Sequence, residues 1–182
     1  MMSSAYDDLA AQALEFLAET AGSEAVEAFA AVRASRLATR YGPAVDEAGA
    51  DPHERAGALA RALTTDGYAA SVRPMPELVI HDEHQAQHAG KQLCQGHCPI
   101  QEVAARFPQL CEAETQAFSQ LLGVHVQRLA TLAHGEHVCT THVPPARPAT
   151  RTATTSTTPD QSEQSAPHTQ QGRTADEHRV AS

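Results

Sequence analysis

The sequence contains no tryptophan, only three tyrosines and four phenylalanines, and a single lysine, Lys91. So few aromatic residues argue against a surface that stacks the bases of single-stranded nucleic acid. The chain has no run of about 18 apolar residues, so it is predicted to have no membrane span and no membrane partner. Its first twenty residues are acidic and amphipathic, which predicts no secretory signal. We therefore expect a cytoplasmic protein whose cysteines are thiols or metal ligands.

The net charge of −9 is predicted to belong to a folded body, residues 1–143, because four arginines and four acidic residues cancel in the segment that follows. An acidic body repels the DNA backbone, so this chain alone is expected to bind duplex DNA only non-specifically. Residues 144–182 are rich in Thr, Ser, Pro and Gln, with little to bury. They are predicted to form a disordered low-complexity tail.

Hydrophobic periodicity within the body predicts an α+β fold, with N-terminal helices followed by a small sheet of hairpins and packed helices. The expected helices cover residues 6–21, 23–41, a segment from Asp51 to the turn at 66–67, a segment from Pro99 to Pro108, and residues 112–122. Two hairpins are expected, one pairing residues 68–74 with 78–80 and the other pairing 124–133 with 138–143.

The four cysteines are Cys94, Cys98, Cys111 and Cys139. Thiolates are soft ligands suited to zinc or an iron–sulfur cluster. Cys98 precedes Pro99 and is expected at a helix N-terminus, where the helix dipole would lower its pKa. Cys111 falls between two helices and Cys139 early in the last strand, so three distant segments are expected to converge on one site. The alternative is that they are small buried core residues. Cys94 is either a fourth ligand or a bystander.

Histidines supply further candidates. His125 lies midway between Cys111 and Cys139 and is a candidate fourth metal ligand, while His97, His134 and His137 are candidates for ligands or for donors to them. His81, His84 and His88 could share one helical face, although a solvated polar segment is the preferred interpretation. No paired Cys-x-x-Cys knuckle, glycine-rich phosphate loop, nucleophile elbow or His-Glu-x-x-His motif occurs. No catalytic residue is therefore predicted.

Several short phrases of residues 5–143 resemble the C-terminal sensory domain of SufR-like regulators, which are iron–sulfur-responsive repressors of the DeoR/ArsR-like winged-helix group. The phrases are Tyr6-Asp7-Asp8-Leu9-Ala10, Cys98-Pro99-Ile100 with Glu102-Val103, Arg106-Phe107-Pro108-Gln109-Leu110-Cys111-Glu112-Ala113-Glu114, and Ala133-His134-Gly135 followed by Cys139. Family members carry an N-terminal winged helix that reads DNA, and this chain begins about where that domain should end.

The resemblance implies an iron–sulfur site using Cys98, Cys111 and Cys139. Many family members have a fourth cysteine between the last two of these, where this chain has His125, so the fourth ligand stays open, with Cys94 and His125 as candidates. It also implies a homodimeric, DNA-linked regulator of transcription that controls cluster-assembly genes, reaching DNA only through a winged helix outside this chain. The alternative is a stand-alone zinc- or small-ligand-binding module. An enzyme using an activated cysteine is the least favoured hypothesis, because no base and orienting group surround any cysteine. Leu9 and Leu14 on the first helix are predicted to contribute to the dimer interface.

Overall fold

The computed structural model describes residues 3–75 and 90–146, which belong to one compact unit, Met1–Pro148. Predictions for residues 78–80, for His81, His84 and His88, and for the tail from residue 147 onward lie outside these residues. Within the described residues, five helices and an antiparallel four-stranded sheet confirm the predicted α+β class. None of the helices in the described ranges is both long enough and apolar enough to cross a lipid bilayer.

Three helices begin the chain: α1 (Ser3–Ala21), α2 (Ser23–Asp46) and α3 (Pro52–Thr65). The start of α3 matches its sequence signal, because the Asp51 carboxylate accepts hydrogen bonds from the backbone N–H groups of His53 and Glu54 at 2.8 and 3.1 Å. The predicted turn at residues 66–67 also ends this helix.

The predicted end of the second helix at residues 42–43 is wrong, because α2 continues through Pro43 to Asp46. Proline lacks the N–H that a helix interior needs, at a cost of about 3 kcal/mol. The carbonyl that loses its partner belongs to Thr39, which is exposed, so it can bind water. Tyr41 and Val45 on either side are buried, and burying a side chain of valine size contributes about 1.5–3 kcal/mol each. The buried face therefore offsets the break that proline would cause.

The second half of the chain contains α4 (Gln101–Arg106), α5 (Gln109–Leu122) and a short 3₁₀ turn (Leu132–His134). Pro108 separates α4 from α5, as predicted, and Gly123 ends α5 in the left-handed conformation with φ 67°. The helix predicted to open at Pro99 begins at Gln101 instead, and the one predicted from Glu112 begins at Gln109.

The sheet has the strand order β1-β2-β4-β3, with β1 (Ala70–Pro74), β2 (Lys91–Gln95), β3 (Gln127–Ala130) and β4 (Cys139–Val143). The predicted hairpin of β3 and β4 is confirmed. No strand is predicted from the sequence over residues 91–95, yet β2 is an inner strand paired with both β1 and β4. Its sequence Lys-Gln-Leu-Cys-Gln has only two apolar residues, and cross-strand pairing decides its conformation rather than its own periodicity.

Two apolar clusters hold the helices in place. The larger one fills the space between one face of the sheet and helices α2, α3 and α5, with Leu59, Leu63, Leu93 and Phe118 fully buried in it. The smaller one joins α1, α2, α4 and α5 through Leu14, Val26, Val103 and Phe107. The helical layer and the sheet together thus hold the segments that contain the cysteines.

Candidate cysteine site

Cys98 follows β2 in a loop that backbone hydrogen bonds hold in place. The N–H groups of Gly96 and His97 donate to the carbonyls of Ala69 and Tyr68, each at 3.1 Å. The carbonyl of Cys98 itself accepts from the N–H of Gln101, the first residue of α4, at 3.2 Å. The Gln101 side chain then reaches the carbonyl of Leu132 at 3.3 Å, which ties this loop to the 3₁₀ turn.

Cys139 is the first residue of β4 and pairs directly with Gln95 of β2. Its Sγ accepts a hydrogen bond from the backbone N–H of Leu132 at 3.2 Å. Leu132 also packs with Cys98 and Cys139 in one small buried cluster. Gly135 closes the 3₁₀ turn with φ 90°, a left-handed conformation that glycine adopts without strain. The turn therefore holds an N–H donor against the sulfur of Cys139.

Cys111 lies in the first turn of α5 and is partly exposed. It lines a cavity of about 310 Å³ between α5 and β3, together with Thr115, Arg128, Thr131 and His134. The cavity places Cys111 beside the same 3₁₀ turn that contacts Cys98 and Cys139. Cys98 and Cys139 thus contact Leu132, while Cys111 borders a cavity that is also lined by His134 of the same turn, and all three cysteines are free thiols.

Electrostatics agrees with this proximity. Burial raises the pKa of the Cys98 thiol to about 12, and charges on Glu114, Cys139 and Cys111 add to the effect, while the N–H of Ile100 opposes it. Burial also raises the pKa of Cys111; Glu114 and Cys139 raise it further and Arg128 lowers it. The prediction of a lowered pKa at Cys98 is wrong, because α4 starts three residues later and desolvation of a buried thiolate outweighs one N–H donor.

Cys94 and His125 are not brought to these three cysteines. Cys94 is buried, but successive side chains of a strand point to opposite faces of the sheet. Cys94 therefore faces away from Gln95 and from Cys139, which pairs with Gln95. His125 is exposed beyond the C-terminal end of α5. A rise of about 1.5 Å per residue puts that end about 16 Å from Cys111.

Among the other histidines, His134 lines the cavity beside Cys111. His97 and His137 are exposed. Within residues 3–75 and 90–146, no group of three or more His, Cys, Asp or Glu side chains could hold a metal ion as they are placed. A single zinc ion requires all its ligands at about 2.0–2.3 Å. The donor set has two buried thiols, Cys98 and Cys139, and the partly exposed thiol of Cys111. The thiols of a polynuclear cluster bind different irons, so this set fits a cluster better than one ion.

Sequence analysis did not identify the buried polar residues beside the cysteines. Gln95, 1% exposed, donates to the Glu114 carboxylate at 3.0 Å and accepts from Arg128 at 2.8 Å. Glu114 is itself buried, 3.8 Å from the Arg128 guanidinium. The one sequence signal for this buried polar group was Arg128, the only Arg, Lys, Asp or Glu in the predicted strand segment 124–133.

No protein-family model, no curated protein and no solved structure matches this chain.

Proposed function

We propose that this chain is the sensory domain of a transcriptional regulator that responds to iron–sulfur cluster status, with Cys98, Cys111 and Cys139 as the cluster ligands. The observation that carries the proposal is that Cys98 and Cys139, from segments far apart in sequence, pack against Leu132, while Cys111 borders a cavity lined by His134 of the same turn. The resemblance to SufR-like repressors supports the same ligand set. An iron–sulfur cluster would supply an oxidation-sensitive group whose presence or loss is the signal.

The residues around the thiols are suited to that role. The Leu132 N–H that binds Cys139 Sγ is the kind of hydrogen bond to sulfur that tunes a cluster. Cys98 and Cys139 are buried, which would keep water from their iron–sulfur bonds, while Cys111 borders a cavity open to small molecules. Burial favours the neutral thiol at Cys98, so metal binding must displace its proton.

A route from the site to the N-terminus runs through α4. Cys98 lies just before this helix, and Val103 and Phe107 pack with Leu14 of α1. Arg106 Nη1 also lies 2.9 Å from Glu15 Oε1 of α1. A change in the Cys98 loop would therefore move α4 against α1, which is where a winged-helix domain would be attached. In this proposal the regulator acts in the cytoplasm on cluster-assembly genes and reaches DNA through that domain.

Homodimer formation belongs to the same proposal, with a corrected interface. Leu14 is buried within the monomer and cannot contribute to it. Tyr6, Leu9 and Phe16 of α1 are 64–71% exposed, and Phe29 and Val32 of α2 are also exposed. An exposed apolar face of this kind commonly marks an interaction surface. Light scattering at tens of micromolar should give the mass of a dimer for the wild type and of a monomer for Leu9→Glu. A monomeric wild type would remove the dimer from the proposal.

Anaerobic reconstitution tests the ligand set. Wild-type protein should take up iron and sulfide and show thiolate-to-iron absorbance. Cys98→Ser, Cys111→Ser and Cys139→Ser should each lose most of the iron, because serine is a poor ligand for this soft metal site. Cys94→Ser is the matched control, since it changes a buried cysteine on the opposite face of the sheet. Full iron content in Cys111→Ser, or zinc as the bound metal in wild-type protein from cells, would reject the cluster proposal in favour of the zinc module.

A further inference from the structure

Arg128 of β3 lies at the centre of the buried polar group beside the cysteines. Its side chain is 12% exposed, and its guanidinium stacks over the Phe118 ring at 5.6 Å from the ring centroid. Nε donates to Thr115 Oγ1 at 3.2 Å and Nη1 donates to Gln95 Oε1 at 2.8 Å. A guanidinium presents its donors in a rigid fork, so these two bonds fix its orientation.

Each of the two residues that accept a hydrogen bond from Arg128 is itself bonded to or paired with a cysteine. Thr115 lies one helical turn after Cys111 and donates to the Cys111 carbonyl at 2.8 Å. Gln95 is the residue that pairs across the sheet with Cys139. Arg128 therefore links the helix that carries Cys111 to the strand pair that carries Cys139, through one intervening residue on each side.

The third nitrogen of Arg128, Nη2, has one loose ion-pair contact and no hydrogen bond within the described residues. Nη2 is buried and has no hydrogen-bond partner within the described part of the chain, and the nearest carboxylate oxygen, Glu114 Oε1, is 3.8 Å away. A buried N–H without a partner costs about 1–3 kcal/mol, more for a charged group. Arg128 also lines the cavity that Cys111 borders.

We infer that Arg128 is a positioning residue for the cysteine site, which fixes the separation of Cys111 and Cys139 and offers its unused N–H and positive charge to the anionic cluster bound there. This inference rests on the proposed function. Arg128 would place a positive charge in an otherwise acidic protein, at the point where a cluster with thiolate ligands would add negative charge. Outer-shell residues that orient ligands in this way typically contribute a factor of about 10–100 to metal affinity.

Two substitutions separate positioning from charge. Arg128→Lys keeps the charge but cannot donate to Thr115 and Gln95 together, so cluster loss to a chelator should become about 10-fold faster with a near-wild-type reduction potential. Arg128→Gln removes the charge, so it should accelerate loss at least as much and lower the reduction potential, because a nearby cation favours the reduced cluster. Both measurements use the reconstituted full chain under anaerobic conditions.

Arg55→Lys is the matched control. The Arg55 side chain is 17% exposed and also makes three hydrogen bonds, to the carbonyls of Leu121 and Gly49 and to the Asp46 carboxylate, none of which borders the cysteines. It should lower the thermal midpoint of the cluster-free protein without changing cluster loss or potential. If Arg128→Gln fails to fold, Arg128→Lys decides the question.

The outcomes are distinct. Wild-type retention of the cluster in Arg128→Lys, or equal acceleration of its loss in Arg55→Lys, overturns the inference and leaves the proposed function in place. Failure of the wild-type chain itself to load iron and sulfide overturns the proposed function, and the inference with it.

Discussion

The two halves of the interface between α5 and the sheet are built from the same elements but have opposite chemistry. In the apolar half, Phe118, Leu121 and Leu122 of α5 meet Leu93 of β2 and Val143 of β4. In the polar half, Cys111 and Glu114 lie one to two turns earlier on α5. They lie near Gln95 and Cys139, which occupy positions two and four residues from Leu93 and Val143 on the same strands.

The difference separates what the fold needs from what a site needs. The apolar half is filled with hydrocarbon side chains. Their burial stabilises folding by about 25 cal/mol for each Å² of apolar surface that is removed from water. The polar half buries an amide, a carboxylate, a guanidinium and thiols, whose desolvation costs free energy unless every group is paired. Arg128 Nη2 is not paired within the described residues. A buried polar atom without a partner in the protein calls for an explanation, such as a bound water, an ion or a redox role.

The largest expected effect comes from breaking the apolar half. Phe118 is fully buried, so Phe118→Ala should lower the free energy of unfolding of the cluster-free protein by about 3–5 kcal/mol through lost burial and a residual cavity. Urea unfolding measures this loss. A loss below about 1 kcal/mol would show that the two halves do not differ as described.

A smaller effect should come from the charges of the polar half. Glu114→Met leaves Arg128 buried without its nearest anion and should cost about 3 kcal/mol in urea unfolding. Adding Arg128→Met should recover part of that loss, because replacing both members of a buried pair by apolar residues is often neutral or stabilising. If the double variant is instead less stable by the sum of the two single losses, Glu114 and Arg128 do not interact energetically, and the description of the polar half as a buried charge pair is incorrect.

The smallest effect concerns Tyr68, whose ring lies in the apolar cluster. Burial raises the pKa of its hydroxyl from 10.0 to about 12, and the charge on Glu114 adds to the shift. A raised pKa means that stability is fully present below pH 10 and is lost as the pH rises towards 12, by about 1.4 kcal/mol per pH unit for this group. Tyr68→Phe should remove that part of the alkaline decline in urea unfolding of the cluster-free protein.

The contribution of Tyr41 should persist in Tyr68→Phe, since burial and its 2.6 Å hydrogen bond to Asp66 raise its pKa as well. An identical alkaline profile in wild type and Tyr68→Phe would contradict the placement of this hydroxyl in a desolvated position near Glu114.

Local signals were sufficient where a few neighbouring residues decide the structure. The Asp51 cap and Pro52 start α3, and Gly123 ends α5. The two predicted strand segments on either side of the connection at residues 134–137 form the hairpin of β3 and β4. These features depend on dihedral preferences and short-range hydrogen bonds, which the sequence specifies directly. The positions of Cys98, Cys111 and Cys139 near element boundaries were predicted for the same reason.

Tertiary structure decided the features that depend on distant partners. β2 has little strand character of its own and is extended because it pairs with β1 and β4. α2 continues past Pro43 because the residues on either side of the proline are buried. Desolvation, set by residues far away in sequence, reversed the predicted pKa shift at Cys98.

The sequence by itself determined the fold class, the helix caps and turns, and the choice of three cysteines as a candidate site, because each follows from local chemistry or spacing. Only the tertiary structure separated those cysteines from Cys94 and His125, and only it revealed Gln95, Glu114 and Arg128 beside them. The physical reason is that strand alternation, helix length and burial act through space. Residues 33 apart along the chain, Gln95 and Arg128, become hydrogen-bond partners only once the sheet has formed.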